Sequence, residues 1–109
     1  MPAIELPPLD PALGAHALFV SVARAEVIYF KVLLESFEGV AAYRTQDPEH
    51  VPGRALIAVL VAPDFADDAA AIVAEAAAAA DIVQHTPEPA DLIALYAALE
   101  PNDERQSAV

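Results

Sequence analysis

Three clustered carboxylates, three histidines and a handful of cations are the residues here with chemistry to offer. Asp64, Asp67 and Asp68 present hard oxygen ligands of the kind that hold calcium. Their spacing matches no EF-hand loop, which needs a central glycine and a closing glutamate. The same acids suit a helix start, where Asp64 caps free N–H groups and negative charge meets the positive end of the helix dipole. Capping is therefore the expected role. His50 stands near Asp47 and Glu49, and His85 near Glu88. Histidine with a carboxylate holds metals or moves protons. Neither pair has helical i, i+4 spacing or a third ligand close by, so both histidines are expected in solvated loops. His16 carries no such signal.

Ser21 and Thr45 have no histidine or glycine elbow beside them, so nothing supports nucleophilic catalysis. The sequence has no cysteine, which excludes disulfides, thiolate zinc sites and cysteine nucleophiles. No catalytic residue, metal site or cofactor is predicted. Four of the five basic residues, Arg24, Lys31, Arg44 and Arg54, lie in the first half. They either gather near the first helix and second strand as a small-anion site, or make ordinary surface pairs. Lys31 with Glu35 is such an i, i+4 pair, worth about 0.2–0.5 kcal/mol, and surface pairing is the expected reading. The candidate ligand-binding residues are Arg24, Glu26, Tyr43, Arg44 and His50. Tyr29 and Phe30 are expected to be half core rather than an aromatic cage.

These residues need elements to position them. Residues 17–23 alternate as a strand, with Leu18, Val20 and Val22 on one face and Phe19 and Ser21 on the other. Residues 24–37 carry an apolar helical stripe of Val27, Phe30, Leu34 and Phe37, closed by Gly39 at the C′ position. Arg24, Lys31, Glu35 and Glu38 take the opposite side. A polar strand over 40–47 reads as a sheet edge, and 47–53 as a turn-rich loop. Residues 55–62 form a strand apolar on both faces, hence central. A helix from Asp64 to about residue 80 turns Ile72, Val73 and Ala76 inward. Residues 81–86 are open as a short fourth strand. A third helix over 90–99 aligns Leu92, Tyr96 and Leu99, with Leu95 beside them, and Pro101 ends it. Residues 1–16 form a proline-rich arm, flexible or loosely docked, 17–100 a single domain, and 101–109 a polar tail.

The order β-α-β-β-α-β plus an extra helix predicts an α+β, ferredoxin-like split βαβ sandwich. Both main helices then cover one sheet face. The other face is bare unless the third helix, the arm or a second subunit covers it. An apolar face of that size is normally an interface. A homo-oligomer is predicted through the sheet or its edges, with Phe19, Ser21, Ile57, Val59 and Val61 as interface residues. If the arm or the last helix covers the face, the candidate surface moves to Arg24–Arg44 and the 47–53 loop.

Composition narrows the partners. The 109 residues fit one domain, with a formal charge of −12 and a mean hydropathy of +0.41. Much of that hydropathy is alanine. The longest uncharged apolar run, residues 55–63, is far short of the ~20 needed to span a membrane. No basic residue precedes the prolines of the N-terminus, so no signal peptide is read, and the cytoplasm is the expected compartment. The charge disfavours nucleic acid and anionic lipid. Between Arg54 and Arg105 there are ten acids and no base. That stretch is expected as a solvated surface, with an acidic face for a basic protein partner as the sharper alternative.

The run Phe19-Val20-Ser21-Val22, then Arg24-Ala25-Glu26-Val27-Ile28-Tyr29-Phe30-Lys31, Leu34-Glu35, Phe37-Glu38-Gly39-Val40-Ala41 and Arg44-Thr45-Gln46-Asp47, resembles a small bacterial family of unknown function (number 4911). The resemblance covers the first half well and the second helix loosely. It implies a compact α+β fold and a bacterial source, and no activity, cofactor or catalytic residue. In element order alone the chain also resembles ACT-type regulatory domains, which bind amino acids at dimer interfaces. Those domains usually carry a glycine at the start of the first helix, and here the turn reads Val22-Ala23-Arg24-Ala25. The leading expectation is a non-enzymatic interaction or regulatory module acting as a homo-oligomer. The alternative is an ACT-like sensor of an amino acid or anion near Arg24, Glu26 and Arg44 at a subunit interface. An enzyme using Tyr43, His50 and nearby carboxylates in a dimer cleft is the weakest reading.

Overall fold

The computed structural model describes residues 4–37 and 40–99. The expected stop at Gly39, the place of Glu38, the break at Pro101, the polar tail and the side chain of Leu99 lie outside what it describes. Over the described residues the chain is α+β, with four strands in one antiparallel sheet and three α-helices. Strand β1 is His16–Ala23, β2 Val40–Val51, β3 Arg54–Val61 and β4 Ile82–His85, in the order β2-β3-β1-β4. The polar strand β2 is an edge, and the doubly apolar β3 is interior, buried from Ala55 to Val61. Interior strands lose both faces to packing, which is why they read as unbroken apolar runs.

Helix α1 is Val27–Glu35, entered through a 3-10 turn at Arg24–Glu26. It is shorter than the expected 24–37. The Arg24 N–H donates to the Gly53 carbonyl at 2.8 Å, which ties the first turn to the β2–β3 hairpin. Helix α2 is Ala66–Ala79, again after a 3-10 turn, Pro63–Phe65. Asp64 makes no capping hydrogen bond, contrary to expectation, because the 3-10 turn moves the cap position to Phe65. Asp67 and Asp68 do occupy the first turn of α2. Helix α3 is Pro89–Leu99.

One core layer lies between the sheet and α1 with α2. Leu18, Val20 and Val22 of β1 and Ile57, Val59 and Val61 of β3 meet Phe30 and Leu34 of α1 and Ala69, Val73 and Ala76 of α2. A second layer lies on the opposite face. There Ala17, Phe19, Leu56, Ala58 and Leu60 pack under Leu95 of α3, with Leu13 and Leu92 partly buried beside them. The helix and the N-terminal turn therefore close the face expected to be open.

The predicted interface is corrected accordingly. Phe19, Ile57, Val59 and Val61 are 0% exposed within the single chain. They do not even share a face. Phe19 pairs with Ala58 and Leu18 with Val59, so odd positions of β1 lie beside even positions of β3. Ser21 is half-buried, and its hydroxyl and carbonyl are held by Arg54.

The β2 segment also differs from expectation, and the arm takes the docked of its two expected states. β2 continues through Pro48 to Val51, with register shifts between Thr45 and Asp47 and between Asp47 and Val51. An edge strand tolerates a proline because its missing N–H leaves no ladder bond broken. Only Pro52-Gly53 turns the chain, with Gly53 at φ 79°, a conformation that favours glycine. The arm is docked over its described residues. Glu5 exchanges two hydrogen bonds with Gln84, at 3.0 and 2.7 Å, and His16 Nδ1 lies 2.8 Å from the Pro7 carbonyl. Ile4 and Leu6 pack against the first core layer.

Candidate functional site

Two places collect polar groups. The first is a groove on the α1 side of the sheet. β1 ends at Ala23, and the 3-10 turn carries Arg24 to the groove mouth. Seven residues later, about two helical turns, Lys31 reaches the same groove from α1. Thr45 pairs with Ile57, which sets it on the helix-covered face. Val27, Ile28, Pro48 and Ala55 complete the lining. The groove has a volume of about 360 Å³. Ligand pockets run from about 300 to 1,000 Å³, so its volume lies at the low end of that range, in a wide-open groove rather than an enclosed cavity. The cleft between α1 and α2 and the cleft beside His85 measure about 190 and 270 Å³ and fall below that range.

Arg24 forms an ion pair with Glu49, and both side chains are more than half exposed. Exposed pairs of this kind contribute about 0–1 kcal/mol, so Arg24 is free to exchange partners. Lys31 has no carboxylate in ion-pair range among the described residues. The expected Lys31–Glu35 pair is not formed, since Glu35 accepts a hydrogen bond from the Tyr43 hydroxyl. That bond is the first cause of a Tyr43 pKa raised above its ordinary value, with burial and the Glu35 charge adding to it.

The second place is the contact of α3 with the sheet. His50 and His85 meet edge to face, with ring centroids 4.9 Å apart. His85 Nε2 lies 3.1 Å from Asp91 Oδ2. The same oxygen accepts the Glu88 N–H at 2.8 Å, an N3 carboxylate reaching back to the N-cap as in half of a capping box. That backbone bond chiefly holds Asp91 below the usual carboxylate range. Partial burial opposes it, and His85 and then His50 add to it. No third histidine or acid joins them in a metal-holding group among the described residues. Asp91 is thus engaged in starting α3 and holding it to β4, and the dyad faces no hydroxyl or thiol nucleophile in its hydrogen bonds.

The five expected ligand-binding residues do not converge. Arg24 lines the groove. Glu26 sits in the turn beside it and is not part of the lining. Tyr43 is bound to Glu35, Arg44 projects exposed from the opposite side of β2, and His50 stacks on His85. Neighbours along a strand alternate faces, so Tyr43 and Arg44 cannot share a site on one face. His85 pairs with Asp91 rather than with Glu88. Arg54 does not join Arg24. It clamps the sheet end, donating to the Ser21 carbonyl at 2.7 Å and pairing with Asp81 at 2.9 Å.

Sequence reasoning missed the roles of Thr45 and Asp91. Asp91 had a signal, a carboxylate two residues after a proline able to open a helix. Thr45 had none, because its place depends on the β2–β3 register. Beside the groove, α1 leaves Ile28 78%, Val32 59% and Tyr29 45% exposed. No helix among the described residues is long and apolar enough to cross a membrane. Comparison with protein-family models, with curated proteins and with solved structures finds no match.

Proposed function

We propose that this chain is a non-enzymatic interaction module that works as a homodimer through the outer face of α1. The carrying observation is the exposure of Ile28, Tyr29 and Val32 on one short helix. Helices apolar all round are normally covered on every side, and α1 has only Lys31 and Glu35 as charged residues. Charge limits where a second copy can sit. Two chains of net −12 repel each other over most of their surfaces. The α1 face, with Lys31 and nearby Arg24, is where that repulsion is least. A two-fold axis would let the same patch meet itself.

Sheet edges are poorer candidates. β2 carries Arg44, Asp47, Pro48 and Glu49 with register shifts, and β4 is four residues long. Charges, prolines and short strands are the usual defences of an edge against pairing.

The fold belongs to this proposal as a ferredoxin-like split βαβ sandwich. The order β2-β3-β1-β4 and the α1 and α2 pair on one face support that reading. A bacterial, cytoplasmic setting rests on the resemblance of residues 19–47 and on the absence of cysteine. Light scattering on a sizing column at moderate salt should give twice the chain mass of 11.4 kDa. The double substitution Ile28→Glu and Val32→Glu should return the monomer with an unchanged circular dichroism spectrum. A wild-type monomer at high protein concentration overturns the proposal.

A further inference from the structure

We infer that the groove between α1 and β2 binds a small carboxylate carrying a short aliphatic chain. Only five residues of this chain are Lys or Arg, against seventeen Asp and Glu. Two of the five, Arg24 and Lys31, line the same groove of about 360 Å³. Such a placement in a strongly acidic chain gives one local site where an anion is favoured. Charge-assisted hydrogen bonds from a guanidinium or an ammonium are the strong ones. Thr45 adds a hydroxyl that donates or accepts.

The rest of the lining selects the body of the ligand. Val27, Ile28, Pro48 and Ala55 are apolar. Burying methyl and methylene groups there favours an aliphatic body, by roughly fourfold in affinity per CH₂. No carboxylate belongs to the lining itself, and the one at its rim, Glu49, is already engaged by Arg24 and the Gly53 N–H. A simple aliphatic acid therefore fits better than the amino acid of the same side chain. Glu49 is the competitor, holding Arg24 at the rim. Its other oxygen accepts the Gly53 N–H at 3.0 Å, and glutamine at that position keeps an acceptor for that bond.

The test is titration of the full-length chain with isovalerate at physiological salt, read by ¹H–¹⁵N amide shifts and calorimetry. Saturable shifts confined to Arg24–Lys31, Thr45 and Ala55 are expected. Lys31→Gln should weaken binding by about tenfold, the cost of one charge-assisted bond. Glu49→Gln should tighten it by releasing Arg24. Leucine, acetate and inorganic phosphate should each bind more weakly than isovalerate. Absent saturation, shifts elsewhere, or indifference to Lys31→Gln overturns the site. Leucine binding as tightly as isovalerate overturns the stated ligand class. Acetate or phosphate doing so overturns the role given to the apolar wall. Ile28 belongs to both the groove and the α1 face, so the titration is repeated on Val32→Glu, outside the lining, with its solution mass measured separately; binding by that monomer separates failure of the groove from failure of dimerisation.

Discussion

Asp91 serves two elements with one carboxylate, closing the first turn of α3 and meeting His85 of β4. Its pKa is lowered in the fold from an ordinary 3.8, chiefly by the Glu88 N–H. A lowered carboxylate contributes stability that is fully present above the unfolded value and fades as the pH falls through the folded one. Asp91→Asn should cost about 0.3–1 kcal/mol at neutral pH by urea denaturation, the range for a charge at a helix start. The gap from wild type should close below the ordinary carboxylate range. Two tyrosines work at the other end of the scale. Tyr43 donates to Glu35, and Tyr96 to Asp10 at 2.6 Å, and each hydrogen bond is the first cause of a raised tyrosine pKa. Their contributions are present below the ordinary value of 10.0 and are lost as the pH rises through the folded values. Thermal melts of Tyr43→Phe with Tyr96→Phe should therefore differ from wild type at neutral pH and converge in strong alkali.

At the scale of elements, α3 and the β2–β3 hairpin decide what the surface offers. α3 presses the fully buried side chain of Leu95 onto the sheet while Ile93 stands 67% exposed. Leu95→Ala should destabilise by about 2–5 kcal/mol, the cost of deleting a buried leucine from a packed layer. It should also raise binding of a hydrophobic dye, because Phe19 and Leu56 lie directly beneath. Gly53 turns the hairpin at φ 79°, and an added Cβ would meet nothing within 4 Å. Gly53→Ala should therefore cost about 1 kcal/mol from the backbone alone. The same turn holds Arg24 through its carbonyl, so the variant should loosen the groove mouth as well. Amide exchange at Arg24 reports that effect.

For the whole molecule, charge sets the terms of assembly. A dimer of chains each carrying −12 is opposed by long-range repulsion. Added salt screens that term, since the Debye length shrinks from ~30 Å at 0.01 M to ~8 Å at 0.15 M. Dimerisation through the apolar α1 face should strengthen over that range when followed by sedimentation. A dimer held by opposite charges would weaken instead. Anion binding in the groove should respond in the opposite sense at its local contacts, because salt competes for Arg24 and Lys31.

The sequence by itself determined the elements. Period-two alternation marked β1, an unbroken apolar run marked the interior β3, and helical stripes marked α1 and α2, because solvent and core act on each short segment separately. Polarity placed β2 at an edge for the same reason. The tertiary structure alone decided which side chains meet. The odd-with-even register of β1 and β3 split the expected interface across two faces. Face alternation along β2 parted Tyr43 from Arg44, and the return of α3 buried Phe19 and set Asp91 beside His85. Each of these depends on pairing between segments far apart in the chain, and a local pattern records what a residue prefers to face without naming the residue it will face.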